Sequence, residues 1–350
     1  MTGKYMAYVG SYSYTGKAKG ITVYDVDVEE GRFIYRCEIE VSNSSYVQAS
    51  RDGKTLYSIT DDGVVSFRIL ENGSLSKLGN AKIKGMRGCH LSTSADDKYI
   101  FVSGYHDGKV TVLKLNEDGS VGRITDGVYH KGLGSVAERN FRPHVSCSRL
   151  TPTGKFLMVA DLGIDQIKIY RFDRNKGTIA LVDAVRCELE SAPRRFLFSR
   201  DGRFMYVIYE LRNVIDVFTY QPGERTPIIE KIQIIPTTDN TTSLLTAACA
   251  MRFSPDEKHL FCTNAGDNTI TMYDRDEQTG LLKLRFCLPV SGDYPKDIAI
   301  FPDGNHLASI NHEGGISFFR IDYEKGLMIM SGRSIEVDEP NSCEIVQIGE

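Results

Sequence analysis

A carboxylate, three cations and two imidazoles fall at comparable points of separate β-rich segments, and they carry the chain's best prospects for chemistry. Glu210 lies between Tyr209 and Leu211. Apolar neighbours desolvate a carboxylate, raise its pKa and equip it to take a proton from water. Arg194 and Arg195 are adjacent on a predicted strand, so their side chains should leave opposite faces. Arg194 is expected on the functional face, where a guanidinium grips a carboxylate or phosphate with paired donors and stabilises an oxyanion. Lys296 stands six residues before Pro302, as Arg194 stands six before Arg200. Two cations at the same phase would make a positive site in a chain of net charge -4, and such a site draws anions. His90 and His144 are candidate acid–base groups, because imidazole titrates near neutrality. His106, His130, His259, His306 and His312 are expected in loops or turns, with His312 best placed to reach the same site.

Those residues are positioned by a repeat. A tight turn, often Asp-Gly, precedes a β-branched or aromatic run at Asp52-Gly53, Asp96-Asp97, Thr153-Gly154, Asp201-Gly202, Asp256-Glu257 and Asp303-Gly304. Successive copies are 44, 57, 48, 55 and 47 residues apart. A period of about 40–50 residues built from strands and turns predicts a propeller. Asp-Gly supplies the positive φ of a tight hairpin, and alternating runs such as Lys109 to Val112 and Gln166 to Ile169 suit the strands beyond each turn. A four-stranded blade cannot bury its faces alone, so blades must stack. The six copies leave a seventh blade to the chain ends, with Ser342 to Ile348 pairing beside Tyr5 to Tyr12 and Lys19 to Asp27. The predicted class is therefore an all-β, seven-bladed propeller closed by its N- and C-terminal strands, one domain over 1–350. The excursions at 126–142 and 222–243 are expected as loops over one face.

Composition narrows the function. Charges of both signs are interspersed, with no basic stripe for nucleic acid. No run of 18 apolar residues offers a membrane span. Met1 to Gly10 lacks a basic segment followed by an apolar one, so a cytoplasmic protein without a secretory signal is expected. The eight cysteines form no CxxC pair and are expected as reduced thiols, with no metal site. There is no GxSxG elbow and no glycine-rich phosphate loop, and no cofactor is expected.

Several segments resemble the bacterial lactonase family of propellers, in the order that family presents them. They are Tyr8-Val9-Gly10-Ser11-Tyr12, Ser45-Tyr46, Cys89-His90-Leu91-Ser92 with Tyr105, Arg142-Pro143-His144, Asp161-Leu162-Gly163, Pro193-Arg194, Glu210-Leu211 and Tyr294-Pro295-Lys296. The family includes 6-phosphogluconolactonases and a muconate-lactonising cycloisomerase, both acting on anionic substrates in the central channel. The resemblance places Arg194 at the arginine of a Pro-Arg-His motif, with Arg195 in place of the histidine. It places Glu210 at the glutamate after the next strand, and Lys296 at an arginine. Ser146 stands where the family usually has a histidine, two residues beyond His144, and Ala265 where it tends to have an arginine.

The resemblance implies hydrolysis of a small anionic sugar-acid lactone, with Glu210, His144 and Arg194 catalytic. Lys296, His90, Arg195, Ser146 and Tyr105 would bind substrate. With Ser146 and Ala265 departing from the pattern, two alternatives stand beside it. One is a cycloisomerase or lyase acting on a carboxylated substrate; the other is a non-catalytic propeller that binds a ligand or protein.

Overall fold

In the computed structural model, residues 3–135, 140–239 and 246–349 are described. They form seven four-stranded antiparallel sheets, the blades of a propeller. Each blade runs from an innermost to an outermost strand. The innermost are Val47–Ala49, His90–Thr93, Val145–Leu150, Pro193–Phe198, Ala247–Phe253, Asp293–Ile300 and Pro340–Ile348. The last of these belongs to the blade that opens the chain. It pairs with Lys4–Ser11 in a register running from Lys4 opposite Ile348 to Gly10 opposite Ser342. The predicted closure by the two chain ends is thus present.

The repeated turns share one backbone device. Gly53, Gly154, Gly202 and Gly304 take φ between 68° and 72°. Asp97 and Glu257 hold the same left-handed position at φ 48° and 57°, where a side chain is costly. Each turn is closed by the amide of that residue donating to a carbonyl three residues earlier, as Gly53 does to Ser50 and Glu257 to Ser254.

The blades are held face to face. Along Lys4–Ser11, Met6 and Tyr8 pack with Val47, Leu56 and Phe67 of the next blade. Ala7 and Val9 point the other way, to Ala308, Ile310 and Phe318 of the last blade. Strand alternation therefore gives each blade two apolar faces. Burial of one such side chain contributes roughly 1.5–3 kcal/mol, which only a neighbouring blade can supply.

One expectation changes. The stretches 126–142 and 222–243 are not loops throughout, because Val121–Tyr129 and Ile228–Pro236 are outermost strands. Their one exposed side is polar or mixed, which hides the alternation in sequence. Residues 136–139 and 240–243 of those stretches lie outside the described residues.

Candidate functional site

The innermost strands run in the same direction, so their first residues gather at one mouth of the central channel. There, four blades carry a β-bulge at the same place. Ser146 is the extra residue between the pairs Val145–Asp161 and Cys147–Ala160. Arg194 lies between Pro193–Tyr209 and Arg195–Ile208. Lys296 lies between Pro295–Asn311 and Asp297–Ile310, and Asn341 between the partners of Gly10 and Ser11. A bulge re-aims the side chain of its unpaired residue. All four bulged residues line one cavity of about 490 Å³.

A second set comes from the equivalent residue at the end of the next strand in four blades, one beyond the partner of the bulge's neighbour or its counterpart. Tyr12, Tyr105, Leu162 and His312 occupy that place and line the same cavity. Glu210 is the equivalent residue behind Arg194. It is 2% exposed and ion-pairs with the Arg194 guanidinium. Ala265 holds the equivalent place in its own blade and is buried.

The wall is cationic. Arg87, Arg194, Arg195 and Lys296 contribute to it, against Glu313 as the carboxylate on the lining. Arg87 is 3.1 Å from Asp61, and Arg195 is 3.5 Å from the fully buried Asp297. Lys296 has no ion-pair partner among the described residues and lies 5.5 Å from the Tyr294 ring centre. Burial opposes the charge of Arg194, but Cys249 and Glu210 outweigh it and hold the guanidinium protonated. Burial pushes the Cys89 thiol up to about 12, so this wall residue is no nucleophile at neutral pH.

Two histidines reach the cavity, His106 and His312. Burial, then the charge of Lys296, lowers the His312 pKa. Its Nδ1 is buried without a hydrogen-bond partner among the described residues, and its ring meets Tyr12 edge to face at 5.9 Å. Burial, then Arg87, lowers His106. Both are neutral imidazoles at pH 7, the form that accepts a proton.

Arg194, Arg195, Lys296, Ser146 and Tyr105 are therefore brought together on one wall. Arg195 joins Arg194 there although strand alternation predicts opposite faces, because the bulge at Arg194 breaks the period. Glu210, His144 and His90 stand behind the wall. His144 donates from Nδ1 to the Tyr105 carbonyl at 2.7 Å and stacks on the Tyr105 ring at 4.3 Å. His90 lies deeper, 4.8 Å from the Tyr46 ring, with Nε2 3.7 Å from Cys147 Sγ. Burial, then Arg149, Arg195 and Arg252, holds it well below the usual imidazole range. Ser146 Oγ donates to the Pro193 carbonyl at 2.9 Å. The signal for Tyr12, Tyr105 and His312 together is their shared place at the end of the second strand of three blades.

Fold and site define a seven-bladed β-propeller with a cationic pocket at one end of its axis. The chain belongs to the family of lactonase seven-bladed β-propellers, whose pattern it matches over residues 6–345. The 6-phosphogluconolactonase of Bacillus subtilis strain 168 is 27% identical to it over 346 residues, 96% of this chain and 97% of that one. The 6-phosphogluconolactonase of Formosa agariphila is 27% identical over 352 residues, 97% of this chain and 98% of that one. The periplasmic gluconolactonase of Pseudomonas aeruginosa superposes with a TM-score of 0.92 at 26% identity, covering 99% of this chain and 100% of that one. Among the described residues no helix is long and apolar enough to cross a membrane.

Proposed function

We propose that the chain hydrolyses a sugar-acid lactone of the 6-phosphogluconolactone type in the cavity at the bulge end of the channel. The observation that carries this reading is the meeting of Arg194 and Lys296, from two blades, on one wall with the neutral imidazole of His312. Lys296 holds the substrate's anionic group. Arg194 faces the lactone carbonyl and stabilises the oxyanion as water adds. His312 takes the proton from that water and returns it to the ring oxygen as the carbon–oxygen bond breaks. Every atom of the step comes from lactone and water, so it consumes no redox or group-transfer co-reactant.

Glu210 keeps a part in this site, but a different one from proton acceptor. Its carboxylate is already engaged by the Arg194 guanidinium and does not line the cavity. Its part is to position Arg194. Likewise His144 positions Tyr105, and Ser146 and Arg195 complete the wall. The reading takes the whole chain, 1–350, as one domain. It also takes the protein as cytoplasmic, supported by eight cysteines that are all unpaired.

The test is hydrolysis of freshly made 6-phosphogluconolactone at neutral pH, with the spontaneous rate subtracted. The wild type should accelerate it, and Arg194→Met and His312→Gln should each lose about 10²-fold or more. No acceleration by folded wild-type protein would sink the assignment.

A further inference from the structure

The same innermost strands end at the opposite mouth of the channel, and a second cavity of about 620 Å³ opens there. Its walls carry four arginines, Arg51, Arg149, Arg200 and Arg252, against two carboxylates, Glu257 and Glu344. Two of these arginines are engaged. Arg252 sits 3.1 Å from Asp297 and 3.7 Å from Glu344, and Arg200 sits 3.8 Å from Glu257. Arg149 and Arg51 have no ion-pair partner among the described residues. The Nε of Arg149 is buried and makes no hydrogen bond among the described residues.

A buried guanidinium donor without an acceptor is costly, and native interiors rarely leave one. An oxyanion supplies acceptors in the planar, paired geometry that a guanidinium prefers. We propose that this far mouth is a second, non-catalytic anion site for a phosphoryl group, gripped by Arg149 and Arg51 beside the Arg252–Glu344 pair. The cavity has room beyond the phosphoryl group for the small molecule that carries it. The site is separate from the catalytic mouth. Between them Asp297 holds Arg195 on one side and Arg252 on the other. The inference therefore stands whether or not the chain hydrolyses a lactone.

Titration calorimetry at fixed ionic strength tests it, with inorganic phosphate and a hexose phosphate as the two probes. Wild type and Lys296→Met should both bind at the far mouth. Arg149→Met, which keeps the apolar stem, should weaken that binding by about tenfold or more and leave lactone hydrolysis unchanged. Arg51→Gln, an exposed change that does not threaten folding, should weaken it in the same direction. Tighter binding of inorganic phosphate would identify the free ion as the occupant, and tighter binding of the hexose phosphate a phosphorylated metabolite. Binding that disappears with Lys296→Met, or that neither Arg149→Met nor Arg51→Gln reduces, would overturn the proposal.

Discussion

The buried carboxylate of Glu210 ion-pairs with the partly exposed Arg194 across the bulge at the head of one innermost strand, so the carboxylate sets where the guanidinium points. Glu210→Gln removes the charge while keeping the shape. Arg194 should then lose its fixed direction, and kcat should fall about 10–100-fold, less than the roughly 10²–10³-fold of removing an oxyanion donor outright. The acid limb of the pH–rate profile should stay where it is, because the titrating group is elsewhere. Loss of that limb in Glu210→Gln would instead make Glu210 the base.

The acid limb belongs to His312 in this account. Burial and Lys296 lower its pKa, while Glu339, Glu313 and Asp338 oppose them. The active form is neutral, so activity should be full above the ordinary imidazole value of 6.5 and fall only below it. Lys296→Met removes one lowering charge. The limb should move to higher pH, toward 6.5, and KM should rise as the anion contact is lost. A limb that moves to lower pH in Lys296→Met would contradict the assignment.

The blade repeat was legible in sequence because each tight turn restricts residue choice and recurs at a near-constant interval. The matching phase of Arg194 and Lys296 was legible for the same reason, since both are counted back from equivalent turns. What pattern reading missed was the bulge. Alternation assumes one residue opposite one residue, and the extra residue at Arg194 turns both arginines to the cavity. The same local irregularity at Ser146 re-aims that residue to the cavity, so His144, two residues before it, does not share its place on the wall. Whether a carboxylate acts as a base or as an anchor is likewise set by its spatial partner, and Glu210 meets Arg194 from 16 residues away.

Asp165 should be a stability hot spot that also serves the site. Its buried carboxylate accepts from the amides of Glu190 and Ala192 at 2.8 Å each, from Asn140 Nδ2 at 3.0 Å and from Ser191 Oγ at 3.3 Å. These bonds shape the chain just before Arg194. Asp165→Ala leaves several buried donors unsatisfied and should cost about 2–4 kcal/mol in denaturant unfolding. The surviving folded protein should show a lower kcat, because the strand carrying Arg194 is no longer held. A variant that unfolds like wild type would remove the carboxylate from this role.

Stability should fall as the solution is made mildly acidic. Burial, as the largest cause, lowers the pKa of both His90 and His130 in the folded chain; for His130 this prevails over its 2.6 Å contact with Asp161. In the unfolded chain both titrate near 6.5. Above that value neither state takes up a proton at these sites, and their contribution to stability is at its maximum. As pH drops through 6.5 the unfolded chain gains protons that the folded chain refuses, so the contribution declines until the lowered folded values are reached. Denaturant midpoints at pH 7.5, 6.5 and 5.5 should decrease in that order. His130→Asn, which cannot titrate, should flatten the decline between 6.5 and 5.5; an unchanged slope would mean that His130 takes up its proton as readily folded as unfolded.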